Sequence, residues 1–256
     1  MATPYPTDGN IESAAPPPPP WESHRRARKP VPPRREPLNL DRIADAAFAV
    51  LDREGLEALT MRKVATELKY TVSALYVHIR GRDELLQVLH EKVYENFHVP
   101  NPHPDPDEWR NQVKALASDL LVLLQSHRDM ARISMGRLPT GPAMIVQMER
   151  LLAFFLAGGL PPAIALRASD MLSLIVEGVS LEAEMWSSRT PADAAFSPAD
   201  YFAALPPSRF PNLSRNADML VNDSQAERFE AIIGIFINGL MALRTDAEGG
   251  GPEAGT

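Results

Sequence analysis

The stretch Thr60 to Arg82, TMRKVATELKYTVSALYVHIRGR, holds the side chains best suited to chemistry on a polyanion. Two short helical segments are joined by a tight turn, and the second is rich in hydroxyl and aromatic residues. That layout is a helix-turn-helix, which sets one helix into the major groove of DNA. A second set is cationic: Arg25, Arg26, Arg28, Lys29, Arg34 and Arg35 stand against Glu22 and Glu36, a local balance of +4. Such groups neutralise phosphates and release their counterions. Enzyme chemistry has no comparable set. The chain shows no Gly-rich phosphate loop, no nucleophile elbow and no recognisable pair of spaced carboxylates. With no cysteine it has neither disulfides nor thiolate metal sites.

The chain of 256 residues carries a net charge of −7, which globally argues against nucleic acid. Its distribution argues the other way, because residues 83–256 alone carry −10 and the basic excess is confined to the N-terminal side. That asymmetry fits contact with DNA at one end. No apolar run approaches the ~18 residues of a membrane span. The Pro-rich N-terminus lacks a signal-peptide core. A cytoplasmic location and no membrane partner are the expectation.

Elements follow from caps and periodicity. Residues 1–37 hold five consecutive prolines at 16–20 and no apolar period, so a disordered or polyproline arm is expected. Asn39 caps a first helix, LDRIADAAFAVLDREG, stopped by Gly55. Thr60 caps a second, Met61 to Leu68, and Thr71 caps a third through His78. Asp83 and Glu84 open a fourth towards Phe97. Lys69 in the turn, not being glycine, must accept a positive φ or force a different turn, at a cost of about 1 kcal/mol. Further helices are expected at about 107–126, 128–134, 141–157, 161–187 and 225–244. Residues 188–223 form a long connection with room for a short helix. The fold class is all-α: an arm (1–37), a three-helix helix-turn-helix domain (38–84), a larger helical domain (85–245) and a disordered tail (246–256).

The string LDRIADAAFAVLDREGLEALTMRKVATELKYTVSALYVHIRGRDELL resembles the DNA-binding domain of the tetracycline-repressor (TetR) family. HRDMARISMGRLPT and ALRASDML…LEAE resemble segments of the tetracycline repressors themselves. The resemblance implies a double-stranded DNA operator as partner. It implies DNA contacts at Thr60 and Arg62, base-edge contacts at Thr71, Val72, Ser73 and Ala74, backbone contact or buttressing by Tyr76 and His78, and a phosphate contact at Arg82. Val72 and Ala74 offer only methyl contacts to thymine, so base reading is thin. The arm cations are expected to supplement it on phosphates or in the minor groove; the bland reading of that arm is a solubilising tail.

The resemblance also implies a small-molecule effector site in the larger domain. Where tetracycline repressors place a metal-ligating His, this chain has Ser134, a poor ligand for a divalent cation. Leu116, Leu120 and Leu151 replace drug-contacting Asn, Phe and Gln. His98 and Glu182 match residues of the drug and metal shell. The expectation is an apolar pocket needing no metal or other cofactor. His98, Glu182 and Trp186 are its polar points, with Met130, Met135, Met144 and Met148 along the walls. Helices 161–187 and 225–244 are apolar over more than one face, which by itself fits buried core helices; the resemblance implies that they pair across a two-fold axis as a homodimer, through residues such as Leu172, Val176, Val179, Phe236 and Leu240. A ligand-responsive regulator, a repressor released from a palindromic operator, is the leading reading. An apolar-ligand or interaction protein with a non-functional helix-turn-helix is the alternative.

Overall fold

The computed structural model describes residues 37–135, 137, 139–187, 197–221 and 224–244. Every regular element among them is helical. An N-terminal head comprises α1 (Leu40–Glu54), a single 3₁₀ turn (Leu56–Ala58), α2 (Met61–Leu68) and α3 (Val72–Leu75). The larger body comprises α4 (Arg82–Tyr94), α5 (Pro106–Gln125), α6 (Met130–Ser134), α7 (Pro142–Ala157), α8 (Pro162–Ser187), α9 (Pro198–Ala203), α10 (Pro211–Arg215), α11 (Ala217–Val221) and α12 (Gln225–Ala242).

Caps explain where the head helices begin. Asn39 Oδ1 accepts the Arg42 N–H at 2.9 Å, Thr60 Oγ1 accepts that of Lys63 at 3.3 Å, and Thr71 Oγ1 accepts that of Ala74 at 3.3 Å. The turn between α2 and α3 passes through Lys69 at φ 59°, ψ 35°, so the residue takes the left-handed conformation and not a different turn. The third helix is shorter than its pattern predicts. The N–H groups of His78 and Ile79 both turn back to the Leu75 carbonyl at 2.9 Å, so Tyr76 to His78 form turns. The fourth helix likewise ends at Tyr94 instead of Phe97. The long connection carries three short helices, two of them opened by a proline at the first turn.

The body is built on α8, which packs against α5, α6, α7 and α12. Trp109 is fully buried there, stacked on Phe154 at 5.8 Å and edge-on to Phe155 at 6.2 Å. Helix α4 is shared. It packs on α1 in the head and on α5, α6 and α7 in the body. Its Leu85, Leu86 and Leu89 join one continuous apolar core with Ile43, Ala47, Val50 and Leu51 of α1.

Candidate functional site

The head presents one polar face. Arg62, Thr71, Ser73, Tyr76, His78 and Arg80 are exposed, while Leu75 and Ile79 fill the core behind them. The cap hydroxyls of Thr60 and Thr71 accept backbone N–H groups, which leaves each O–H proton available to a phosphate oxygen. Val72 and Ala74 are half-buried, with Val72 packed against the core, so less of each reaches outward than the sequence predicts. Val77, which sequence reasoning passed over, is 81% exposed on this face. Its signal was an apolar residue placed between the core residues Leu75 and Ile79. Arg82 has a structural task beside the expected one. Its Nε donates to the Leu59 carbonyl at 3.1 Å and its Nη2 to that of Leu56 at 2.9 Å, tying the start of α4 to the 3₁₀ turn.

A cavity of about 710 Å³ lies in the body. Helix α4 contributes His90 and Tyr94, α6 contributes Ser134, and the connection after it contributes Arg137 and Pro139. Met144, Met148, Leu151 and Leu152 of α7 and Leu166, Leu174, Asp170 and Glu177 of α8 complete much of the wall. Ser134 is the polar hub. Its hydroxyl donates to Glu177 Oε1 at 2.7 Å and lies 3.1 Å from His90 Nε2. A hydroxyl has one proton, so the His90 Nε2–H is the donor in that second bond. Burial, with the Arg137 charge adding to it, pulls the His90 imidazole down to about 4, so it is neutral at physiological pH. Burial pushes the Tyr94 phenol up to about 12. Burial, reinforced by the Asp170 charge and opposed by the Ser134 bond, raises the Glu177 carboxyl above its ordinary range.

The cavity is connected to the head through α6. Asp129, just before that helix, sits at φ 59° and accepts the Leu56 N–H at 2.8 Å. Its other oxygen accepts Arg132 Nη1 at 3.0 Å, and Arg132 Nη2 reaches Glu57 at 2.9 Å. His127 stacks on Phe48 at 3.9 Å and bonds Asp52 at 2.9 Å. The Asp129 N–H is held from behind by Glu184 of α8 at 2.7 Å. A second tie runs from α4 to α7. Glu91 accepts the N–H groups of Ala143 and Met144 and so caps α7, where Gly141 leaves room because a β-carbon would collide with that carboxylate.

Known proteins share this fold. Residues 43–89 match the model of bacterial regulatory proteins of the tetR family, and residues 101–244 match the tetracyclin repressor-like C-terminal domain. The chain belongs to the TetR family. That family comprises ligand-responsive, DNA-binding transcriptional regulators. Among curated relatives, the HTH-type transcriptional repressor DrrR1 of Streptomyces coeruleorubidus is 31% identical over 175 residues, 68% of this chain and 63% of DrrR1. The tetracycline repressor protein class E of Escherichia coli is 32% identical over 57% of this chain and 68% of its own length. Among solved structures, the TetR-family protein ActR of Streptomyces coelicolor in complex with actinorhodin is 38% identical, with a TM-score of 0.76 over 82% of this chain and 99% of ActR. A TetR variant of Acinetobacter baumannii in complex with minocycline is 27% identical, with a TM-score of 0.62 over 82% of this chain and all of that one.

In this TetR-family chain the expected ligand residues part company. Ser134 and Leu151 line the cavity, together with Met144 and Met148. Leu116, Leu120 and Met130 are buried in the core outside its lining. Met135 is exposed, and His98 lies exposed beyond the end of α4. Glu182 pairs with Arg228 at 3.0 Å and accepts Trp186 Nε1 at 3.4 Å, away from the cavity. The polar points are instead His90, Tyr94 and Glu177. The first two sit four apart on α4, and Glu177 interrupts the apolar run from Leu172 to Val179, which was the available signal. Among the described residues no group of three His, Asp or Glu could hold a metal ion, and no helix is long and apolar enough to cross a membrane. The arm cations from Arg25 to Arg35 lie outside the described residues.

The expected dimer residues need correction. Leu172, Val176, Val179, Phe236 and Leu240 are all buried inside the chain's own core and offer a partner little surface. Helices apolar on two faces do not reveal from sequence which face turns inward. The faces left open are Met171, Leu174 and Gly178 on α8 and Ala231, Ile235, Gly239 and Ala242 on α12, with Ile235 73% exposed.

Proposed function

We propose that this chain is a transcriptional repressor that grips a palindromic operator as a homodimer and lets go when a small, largely apolar molecule fills the cavity. The observation that carries this reading is the placement of α6. One end of this five-residue helix is bonded to the head through Asp129, and the other puts Ser134 into the cavity wall. A helix this short moves as one piece, so a ligand that displaces Ser134 also displaces the contacts to the 3₁₀ turn. The ligand's leverage is its difference in affinity between the two arrangements.

The DNA contacts on this reading are Thr60, Arg62, Thr71, Ser73, Tyr76 and His78, with Val77 against thymine methyl groups or sugars. Arg82 acts mainly by holding α4 to the head. The arm cations supply phosphate contacts in addition. Repressors among the relatives support repression, and the ActR–actinorhodin and TetR–minocycline complexes support a small-molecule ligand. A gel shift with the DNA upstream of the chain's own gene tests the first half of the reading. A screen of apolar small molecules for release of that complex tests the second. No shift at low salt would overturn the repressor reading in favour of a ligand-binding protein with a silent head.

A further inference from the structure

We propose that the effector carries a protonated amine on its apolar body and that Glu177 is the counter-ion for it; this rests on the cavity being the effector site. Glu177 is only 8% exposed, yet its one recorded partner is the uncharged Ser134 hydroxyl. No ion pair reaches it among the described residues. Buried carboxylates are normally matched by a cation, because removal from water is costly without one. Asp170, two turns earlier on α8, lines the same cavity and adds its own negative charge to the burden on Glu177.

The rest of the lining does not supply the missing charge. Glu149 also faces the cavity, which among the described residues gives three carboxylates against the one guanidinium of Arg137. The Arg137 charge bears on His90. His90 itself is neutral, and its Nε2–H is committed to Ser134. An ammonium group placed beside Glu177 would satisfy the free carboxylate oxygen, while Met144, Met148 and Leu151 cover an apolar ring system. An anionic ligand of the same shape would meet net repulsion.

The test uses the purified full chain and three anthracenes substituted at one ring position with an aminomethyl, a hydroxymethyl or a carboxylate group. Their fluorescence reports binding. The amine should bind about tenfold or more tightly than the alcohol, and the carboxylate should be weakest. Glu177→Gln should reduce the amine to the affinity of the alcohol and leave the alcohol unchanged. Asp170→Asn, at an exposed position, should narrow the preference severalfold and covers the case in which the first variant fails to fold. Carboxylate binding as tight as amine binding, or a preference unchanged in both variants, overturns the proposal. Met148→Trp, which fills the cavity mouth, separates the two failures. Equal binding of all three that this variant abolishes sinks only the charge inference. Binding that it leaves intact, or no binding at all, removes the cavity reading as well.

Discussion

Glu177 and His90 share the Ser134 hydroxyl but respond to pH in opposite senses. His90 falls from 6.5 unfolded to about 4 folded. Its contribution to stability is therefore complete above 6.5 and is lost as pH falls through about 4, a difference of ~3 kcal/mol. Urea unfolding between pH 7 and pH 4 should show that loss in the wild type and its absence in His90→Gln, which keeps an N–H donor for Ser134. The Glu177 carboxyl is raised by burial, so its favourable contribution exists below the unfolded value and is lost as pH climbs through the folded one. Glu177→Gln should accordingly be more stable than wild type at neutral pH, with the advantage vanishing in acid; an advantage that grows in acid would contradict the assignment. Lys69 offers a third residue-level test. It holds φ 59° without being glycine, so Lys69→Gly should raise the stability of the head by ~1 kcal/mol. Positions such as Lys69 and Ser134 were legible in the sequence because a turn residue and a family match marked them. His90, Tyr94 and Glu177 were not, since a polar residue on a helix gives no sign of whether its face is solvated or turned onto a cavity.

At the level of elements, the caps were the readable part. Asn39, Thr60 and Thr71 each accept the backbone donor expected of them. The ends were less readable, because α3 stops where two N–H groups share the Leu75 carbonyl, a choice made by tertiary packing of Ile79. On the proposed reading, control depends on the approach to α6. Asp129 accepts the Leu56 N–H, pairs with Arg132 and occupies a left-handed conformation. Asp129→Ala removes the acceptor and retains the backbone strain, so a loss of ~3 kcal/mol is expected. Asp129→Asn keeps an acceptor oxygen and tolerates positive φ, so it should cost much less. Operator release provides the functional readout. The Ala variant should bind DNA yet respond weakly to any molecule that releases the wild type, because the Leu56 N–H loses its acceptor beside α6 and Arg132 loses the carboxylate that steadies its reach to Glu57. A fully responsive Ala variant would move the coupling to α4 and Glu91.

At the scale of the whole molecule, the open faces of α8 and α12 carry glycines that the chain's own packing does not explain. A β-carbon at Gly178 or at Gly239 would meet nothing within 4 Å. Mid-helix glycine costs roughly 1 kcal/mol relative to a good helix former, so within a single subunit these positions are a loss without a return. On the proposed homodimer, close approach of helix backbones from a second subunit supplies the return. It also explains why exposed Met171, Leu174 and Ile235 stand beside them. Replacing either glycine with leucine should therefore act in opposite directions on the two levels. The isolated chain should become more stable by up to ~1 kcal/mol, because its helix improves and no clash arises. The assembly should weaken, because a side chain now fills the space the partner backbone needs. Sedimentation of Gly178→Leu and Gly239→Leu should show monomers at concentrations where the wild type is a dimer. Their circular dichroism should be unchanged, and gel shifts should lose the complex on a two-half-site operator. A dimer that survives both substitutions would place the two-fold contact elsewhere on the molecule and leave these glycines without a physical account.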